Sequence, residues 1–322
     1  MYDIITIGAA TKDVFLFSDQ FQILNSPQFD TGVGECVSLG SKIEISKIVE
    51  TTGGGATNAA VTFARLGRRV AVACKVGADA NGRDILAALK AERVNTSLVA
   101  VDAKVPTAYS TLLTTNTGER TVLVYRGASA HFKAADVAFA KCSAKWFYVT
   151  SLGGDVVLAA KIVAHATKAG AQVAWNPGAK ELDAGLKRLL PIIKNVRVLS
   201  VNREEGARLA GSDDVSQIIA ALATPGNVVI VTDGAKGAYA HADGNTVFSP
   251  GTGKKAVSQT GAGDAFGSGF VAAFMKTEDI RDGLAVGALN AESVIGKIGP
   301  KEGVLRAWPT PKQIATIKIT QK

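Results

Sequence analysis

Short apolar runs that alternate with helix-like segments constrain the fold of this 322-residue chain more than any other feature. The runs are rich in β-branched residues and nearly continuous in apolar character, which is typical of strands buried on both faces of a parallel sheet. They lie at 2–8, 70–77, 145–151, 171–176, 196–202 and 227–234. The helix-like segments lie at 56–66, 82–93, 155–169, 203–210, 214–223, 262–276 and 279–296. This alternation predicts an α/β fold with a doubly wound, mostly parallel sheet flanked by helices.

Two segments interrupt the alternation. Residues 14–50 alternate with period two in places and contain turn residues, and residues 98–125 have the pattern of a three-stranded meander. The sequence NTGE at 116–119 predicts the turn between the last two strands of that meander. We interpret both segments as a small antiparallel sheet that projects from the α/β body as a lid, and ordinary edge strands are the alternative. Without a linker or an internal repeat, the prediction is a single domain over 1–322.

Composition excludes several classes of partner. Apolar residues make up 47% of the chain and charged residues 20%, as in a soluble globular protein, and no apolar run has the length of a membrane span. The chain starts with a predicted strand instead of a basic leader, and its three cysteines fit neither a disulfide framework nor a zinc site, so we expect a cytoplasmic location. The formal net charge is +8, but the Lys and Arg residues are scattered, which argues against nucleic acid.

The stretch TTGGGATNAAVTFARLG at 51–67 places three consecutive glycines before a predicted helix. Gly53 and Gly54 let the backbone approach a ligand closely, and the helix N-terminus offers free N–H groups. Asn58 both donates and accepts hydrogen bonds, which suits a polyol. A tight strand-to-helix turn explains the glycines equally well. The stretch is not a Walker A loop, because no Gly-Lys-Ser/Thr follows, and its spacing differs from that of a dinucleotide-binding fingerprint.

A second glycine-rich stretch, VSQTGAGDAFGSGF at 257–270, changes from polar to apolar around Asp264. Gly261, Ala262 and Gly263 place successive backbone N–H groups at the start of a predicted helix, where they would hold the charge of a transferring phosphoryl group. Asp264 would accept the proton of a substrate hydroxyl as that oxygen attacks phosphorus. The alternative is that Asp264 only complements the helix dipole, an effect of about 0.3–1 kcal/mol.

Together, GGGATNAAVTFARLG and TGAGDAFGSGF resemble the two signature regions of the ribokinase-like family of carbohydrate kinases, also called the PfkB family. The order and separation of the regions match, and the resemblance covers nearly the whole chain. It implies an ATP-dependent kinase that phosphorylates a primary hydroxyl of a small ribose- or fructose-like sugar, with Mg²⁺ bridging the phosphates. A nucleoside such as adenosine is the alternative substrate. Two other classes are a dinucleotide-dependent oxidoreductase, which would need a Gly-x-Gly-x-x-Gly after the first strand, and a sugar-binding protein without catalysis.

The resemblance implies roles for residues around the acceptor. Asp264 matches the catalytic base, and the N–H groups of 261–264 match the anion hole. Asp13 matches the aspartate that binds sugar hydroxyls. The residues that match the substrate-binding turn are Gly53, Gly54 and Asn58. The two segments that interrupt the alternation would be the lid, which excludes water when sugar binds and whose exposed sheet would offer a contact for a homodimer.

The resemblance also implies a nucleotide site and contains one departure. The residues that match nucleotide contacts are Asn202, Thr232, Gly234, Gly237 and Asn290. Glu205, in the sequence NREE, matches a carboxylate near magnesium. Ser258 stands where the family usually has an aspartate that helps to hold a monovalent cation, which puts potassium activation in doubt. Independently of the family, Arg126 at the end of the meander is a candidate for binding a substrate carboxylate or phosphate, or else a solvated strand-end arginine.

Overall fold

A nine-stranded sheet lies at the centre of the computed structural model, which describes residues 1–115 and 120–322. The strands are β1 (Tyr2–Ile7), β2 (Thr11–Phe17), β3 (Gln22–Asn25), β4 (Val33–Cys36), β5 (Lys47–Gly53), β6 (Val70–Ala73), β7 (Lys75–Gly77), β8 (Ala100–Asp102), β9 (Ala108–Thr114), β10 (Arg120–Tyr125), β11 (Ala144–Val149), β12 (Gln172–Trp175), β13 (Val198–Asn202), β14 (Val228–Thr232), β15 (Gly237–Ala242), β16 (Asn245–Pro250) and β17 (Thr320–Gln321). The α-helices are α1 (Gly55–Arg65), α2 (Ala80–Ala91), α3 (Val156–Lys168), α4 (Ala179–Leu182), α5 (Leu186–Ile193), α6 (Arg203–Ala210), α7 (Val215–Leu222), α8 (Ala262–Thr277), α9 (Ile280–Ile295) and α10 (Pro311–Ile314).

The central sheet has the order β17-β16-β15-β14-β13-β12-β11-β1-β6. The six strands from β14 to β6 pair in parallel, and β15, β16 and β17 extend the sheet as antiparallel strands. This confirms the predicted mostly parallel sheet. The predicted strand at 70–77 is interrupted at Cys74, because β7 leaves the central sheet and pairs with β8.

Both faces of the central sheet are covered by helices, which explains the continuous apolar runs. Ile4 belongs to a buried cluster with Phe63, Phe270 and Phe274 on one face, where α1, α8 and α9 pack. Its neighbour Ile5 belongs to the cluster on the opposite face, where α3, α5 and α7 pack. Alternate residues of one strand therefore fill two different cores. None of the helices in the described residues combines the length and apolar character that a bilayer crossing needs.

The predicted lid is a four-stranded sheet of order β10-β9-β2-β5. The outer pairs are antiparallel, but the central pair of β2 and β9 is parallel, because the chain between them runs back through the α/β body. The strand expected near residue 98 is not part of this sheet, since β8 pairs with β7 instead. The lid strands also begin and end closer to the body than predicted, at Thr11 and Gly53. The predicted turn at 116–119 lies outside the described residues.

Glycines in α8 bring this helix close to the sheet and to α9. A Cβ at Gly267 would lie 2.6 Å from the Tyr148 hydroxyl, and one at Gly269 would lie 3.1 Å from the Val286 carbonyl. Larger residues would push α8 away from both neighbours. The position of its N-terminus therefore depends on these small residues.

Candidate active site

A cleft of about 300 Å³ separates the lid sheet from the N-termini of α1 and α8. From the lid, its walls are formed by Thr11, Asp13, Ser110, Leu112, Arg120 and Val122. From the body, they are formed by Gly54, Gly55, Asn58, Gln259, Thr260, Gly261 and Asp264. The strand register explains the first group, because Asp13 lies opposite Ser110 and Val122 lies opposite Leu112. Alternation then places these side chains on one face of the lid sheet.

The N-terminus of α8 presents backbone donors to this cleft. Gly261 is the N-cap residue, in the left-handed region at φ 83°, and no described side chain caps the helix. A side chain at Gly261 would also collide with Pro300, so glycine is required twice over. The Ala262 N–H donates to the Gln259 carbonyl at 3.2 Å. Within the described residues, the N–H groups of Gly261, Gly263 and Asp264 have no acceptor, so of the four predicted anion-hole donors only that of Ala262 is used inside the protein.

The Asp264 carboxylate is held in place from α1. Its Oδ2 accepts a hydrogen bond from Asn58 Nδ2 at 2.8 Å. Burial raises the pKa of Asp264, while the Asn58 hydrogen bond and the charge of Lys301 lower it. A carboxylate with a raised pKa binds a proton more strongly than an exposed one, which suits a general base. The structure thus brings together the two sequence motifs, 206 residues apart in the chain.

Asp13 lies on β2, directly against the glycine turn. A Cβ at Gly53 would overlap the Asp13 Oδ2 atom, so glycine allows the carboxylate to sit there. At Gly54 the backbone has φ +94° and passes so close to Ala10 that a side chain has no space. Burial raises the pKa of Asp13, while Lys301 and nearby hydroxyls lower it and the Asp264 charge raises it further. Within the part of the chain that the structure describes, the Asp13 Oδ1 and Asn58 Oδ1 atoms are both buried without a hydrogen-bond partner.

Lys301 is a buried cation that no sequence motif indicates. Its Nζ donates to the Thr52 carbonyl at 2.8 Å, to Thr52 Oγ1 at 2.8 Å and to Thr57 Oγ1 at 2.7 Å. Burial lowers the pKa of Lys301 to about 7, while the charges of Asp13 and Asp264 raise it. The three bonds match the three donors of an ammonium group. Lys301 therefore fixes the strand before the glycine turn and partly balances the two carboxylates.

The predicted nucleotide residues lie together at the carboxyl ends of two central strands. Asn202 ends β13 and pairs with Thr232, the last residue of β14. Gly234, at φ +51°, and Gly237, at φ +118°, form the turn into β15. A Cβ at Gly237 would overlap the Ser249 carbonyl. Ligands of open α/β sheets bind at this edge, so four of the five predicted residues share one ligand-accessible region.

Glu205 has a local structural role at the start of α6. Its Oε2 accepts from the Asn202 N–H at 2.9 Å, and Asn202 Oδ1 accepts from the Glu205 N–H at 2.8 Å, which forms a capping box on α6. Burial raises the pKa of Glu205, and the charge of Asp264 contributes in the same direction. Across residues 1–115 and 120–322, no three His, Cys, Asp or Glu residues form a metal cluster. A single carboxylate fits Mg²⁺ that is held mainly by phosphates and water.

Two predicted residues do not reach these regions. Asn290 is fully buried, where its amide donates to Thr62 Oγ1 and the Ala265 carbonyl and accepts from the Leu305 N–H. Its side chain therefore ties α9 to α1 and α8, and is not offered to a nucleotide. Arg126 is exposed beyond the end of β10, as its alternative interpretation states. The arginine that lines the cleft is Arg120, at the other end of that strand.

Comparisons with known proteins identify the family and the fold of the chain. The sequence profile of the pfkB family carbohydrate kinases matches residues 23–307. A ribokinase of Haemophilus influenzae is 27% identical over 265 residues, which cover 78% of this chain and 83% of the relative. A nucleoside kinase of Methanothermobacter thermautotrophicus is 24% identical over 282 residues, which cover 87% of this chain and 84% of the relative. The solved structure of a ribokinase from Cryptococcus neoformans in complex with ADP has a TM-score of 0.73 at 19% identity, and covers 98% of this chain and 99% of that one.

Proposed function

The chain belongs to the pfkB family of carbohydrate kinases, which transfer a phosphoryl group to an alcohol, and we propose that it phosphorylates a primary hydroxyl of a small sugar with ATP as the donor. The observation that carries this proposal is the pairing of a half-buried carboxylate with helix N–H groups that have no acceptor in the described residues. Asp264 and the N-cap residue Gly261 line one cleft of about 300 Å³. A base and an anion hole in one water-poor cleft are what an in-line attack on phosphorus requires.

Asp264 is the proposed general base. As the acceptor oxygen attacks the γ-phosphorus, its proton moves to the Asp264 carboxylate, a new O–P bond forms, and the bond to the β-phosphate oxygen breaks to release ADP. The N–H groups at the start of α8 stabilise the charge on the transferring group. Asn58 holds the carboxylate by its 2.8 Å hydrogen bond and so fixes the direction of proton transfer.

The unpartnered oxygens of Asp13 and Asn58 are the proposed acceptors for sugar hydroxyls. Both are buried at the cleft, and a hydroxyl is the group that satisfies a lone acceptor while leaving its own oxygen free. Closure of the lid sheet over the bound sugar would exclude water from the reaction.

The proposed nucleotide site is the strand edge formed by Asn202, Thr232, Gly234 and Gly237. The solved structure of a ribokinase that shares this fold contains ADP, which supports nucleotide binding, and the choice of this strand edge rests on where open α/β sheets bind ligands. Bound Mg²⁺ supplies charge neutralisation to the phosphates, and Glu205 is the carboxylate of this chain that would hold the ion or its waters. Glu205 is half-buried, and the charge of Asp264 contributes to its raised pKa, so the two carboxylates are near enough to interact.

A nucleoside is the second candidate for the acceptor. The nucleoside kinase among the relatives favours it, and Leu112 and Val122 give the lid wall of the cleft apolar surface on which a base would pack.

The lid also exposes an apolar strand, because Leu123, Val124 and Tyr125 of β10 are each more than half exposed. We therefore also propose a homodimer formed through the lid, which size-exclusion chromatography with light scattering tests.

A coupled assay of ADP release decides between these candidates. Wild-type protein with Mg²⁺-ATP is assayed against ribose, fructose, adenosine and inosine, with no acceptor as the control. Acceptor-dependent ADP release with a sugar supports the first proposal, and release with a nucleoside only supports the second. If no acceptor in a broad sugar and nucleoside panel raises ADP release above the control, the proposed kinase activity is wrong.

A further inference from the structure

Four buried polar atoms of the cleft indicate which chemical groups of a ligand would fit there. Among the described residues, Asp13 Oδ1, Asn58 Oδ1, Arg120 Nε and Thr260 Oγ1 are all buried without a hydrogen-bond partner, and all four residues line the same cleft. Buried polar groups in folded proteins are almost always paired, so a cluster of exceptions indicates a missing partner. Three of these atoms are oxygens that suit hydroxyl groups. The fourth is a donor on a permanently charged guanidinium, whose partner must be an acceptor, preferably one with negative charge.

Arg120 faces the cleft from the far end of the lid sheet. It is the first residue of β10 and pairs with Thr114, which in turn lies opposite Phe17 of β2. Asp13 is four residues before Phe17 on the same strand, about 13 Å away at the rise of an extended chain. The ion pairs of the described residues include none between Arg120 and either Asp13 or Asp264. Arg120 therefore lies at one end of the lid wall and Asp13 nearer the other, and the cleft of about 300 Å³ that both residues line is large enough for a small polyol.

We propose that the acceptor carries an anionic group, a carboxylate or a phosphate, and that Arg120 binds this group. The inference deepens the proposed kinase function and rests on it. A planar guanidinium binds the two oxygens of a carboxylate or phosphate by parallel hydrogen bonds, and the match is stronger than with a neutral hydroxyl. An anionic substrate end also avoids the half of the cleft that holds Asp13 and Asp264, since like charges repel there. Hydroxyls would then lie at the carboxylates and the anion at Arg120.

The test compares pairs of acceptors in which one member is neutral and the other carries an anionic group. D-Gluconate has a carboxylate where sorbitol has a primary alcohol, and D-fructose 6-phosphate has a phosphate that D-fructose lacks. The same two comparisons are extended to the pentitols, aldonic acids and sugar monophosphates of five carbons. Wild-type protein is expected to show at least a tenfold higher kcat/KM for the charged member of one class of pair. The class that responds identifies carboxylate or phosphate as the group.

Variants then assign the effect to Arg120. Arg120→Met is expected to lower kcat/KM for the charged acceptor by about 10- to 100-fold, as expected for the loss of a charge-assisted hydrogen bond, and to change the neutral member by less than about threefold. Arg120→Lys keeps the positive charge but loses the planar guanidinium, so its kcat/KM for the charged acceptor is expected to lie between those of wild type and Arg120→Met. Arg126→Met removes an exposed arginine just past the end of the same strand and is the matched control, with both acceptors unaffected.

Calorimetric titration of each acceptor without ATP keeps this test separate from the kinase proposal. Tighter binding of a charged member that is lost in Arg120→Met supports the inference whether or not ADP release is seen. The inference is overturned if charged and neutral members bind and react alike, or if Arg120→Met weakens both equally. ADP release with neutral sugars alone would overturn it while leaving the kinase function intact.

Discussion

Replacing Lys301 by methionine tests the charge network that surrounds the proposed base. The Lys301 ammonium is buried, donates three hydrogen bonds of 2.7–2.8 Å, and is coupled by charge to Asp13 and Asp264. Burial outweighs the two carboxylates, so the pKa of Lys301 falls from 10.5 in an exposed lysine to about 7. Methionine keeps most of the volume of the side chain but removes both the charge and the three hydrogen bonds, so only the pH dependence of the stability difference reports the ionisation.

Whether the free energy of unfolding rises or falls with pH depends on whether the folded or the unfolded chain binds the proton of Lys301 more tightly. Between pH 7 and 10.5 the unfolded chain keeps a proton on Lys301 that the folded chain has released, so the free energy of unfolding rises with pH in this window. Below about pH 7 both states are protonated, and the contribution is constant. With these two pKa values, the wild type gains about 2 kcal/mol relative to Lys301→Met between pH 7 and 9. A rise in the pKa of Asp264 in the variant would act in the same direction.

The assay is urea unfolding of wild type and variant at pH 6, 7, 8 and 9 and constant ionic strength. Lys161→Met, on the exposed face of α3, shows how loss of a surface lysine behaves in the same titration. The expected result is a stability difference that is flat from pH 6 to 7 and then widens by about 1.4 kcal/mol per pH unit at most. Parallel curves for wild type and Lys301→Met over the whole range would refute a buried, coupled ammonium.

Three further substitutions test other parts of the site. Asp13→Ala is expected to raise the sugar KM at least tenfold with the ATP KM little changed, because buried charge-assisted hydrogen bonds are worth roughly 1.5–3 kcal/mol each; a shift in the ATP KM would instead remove Asp13 from the sugar site. Glu205→Gln keeps the capping geometry and is expected to raise the free Mg²⁺ concentration at which kcat is half-maximal. An unchanged Mg²⁺ dependence would leave Glu205 with its helix-capping role only. Potassium in place of sodium is expected to activate the wild type less than about threefold, because Ser258 offers a neutral hydroxyl that already accepts from the Thr260 N–H. Ser258→Asp should introduce potassium dependence at fixed ionic strength, and strong activation of the wild type would show that backbone carbonyls suffice.

Local sequence patterns predicted most of the strands and helices of this fold. They did not predict which distant strands pair with each other. The apolar runs mark the parallel strands because alternate residues such as Ile4 and Ile5 enter two different cores. The parallel pairing of β2 with β9 joins residues about a hundred positions apart, for example Asp13 with Ser110, and no local pattern encodes it. The antiparallel strands β15 and β16 were missed because they carry few continuous apolar residues.

Sequence motifs indicated which backbone segments border the candidate cleft, but they did not indicate the single side chains Lys301 and Arg120. Glycine turns and the helix start at Asp264 leave a readable pattern in the sequence. Lys301 does not, since lysine is almost always exposed and nothing nearby predicts its burial. Arg120 and Arg126 lie at the two ends of one strand, and only the strand register shows which of them lines the cleft. Asn290 resembles a ligand contact in sequence, yet all its hydrogen bonds are used inside the protein.

The most direct test of the central claim is turnover by Asp264→Asn. With the acceptor that gives the fastest ADP release, steady-state rates and calorimetric binding of acceptor and ATP are measured for wild type and variant. The carboxamide keeps the shape of the side chain and loses its basicity, so we expect kcat to fall by about 10²–10⁴ while both ligands bind within a few fold of wild type. Turnover within a few fold of wild type would contradict the account and leave Asp264 as a residue that only stabilises the start of α8.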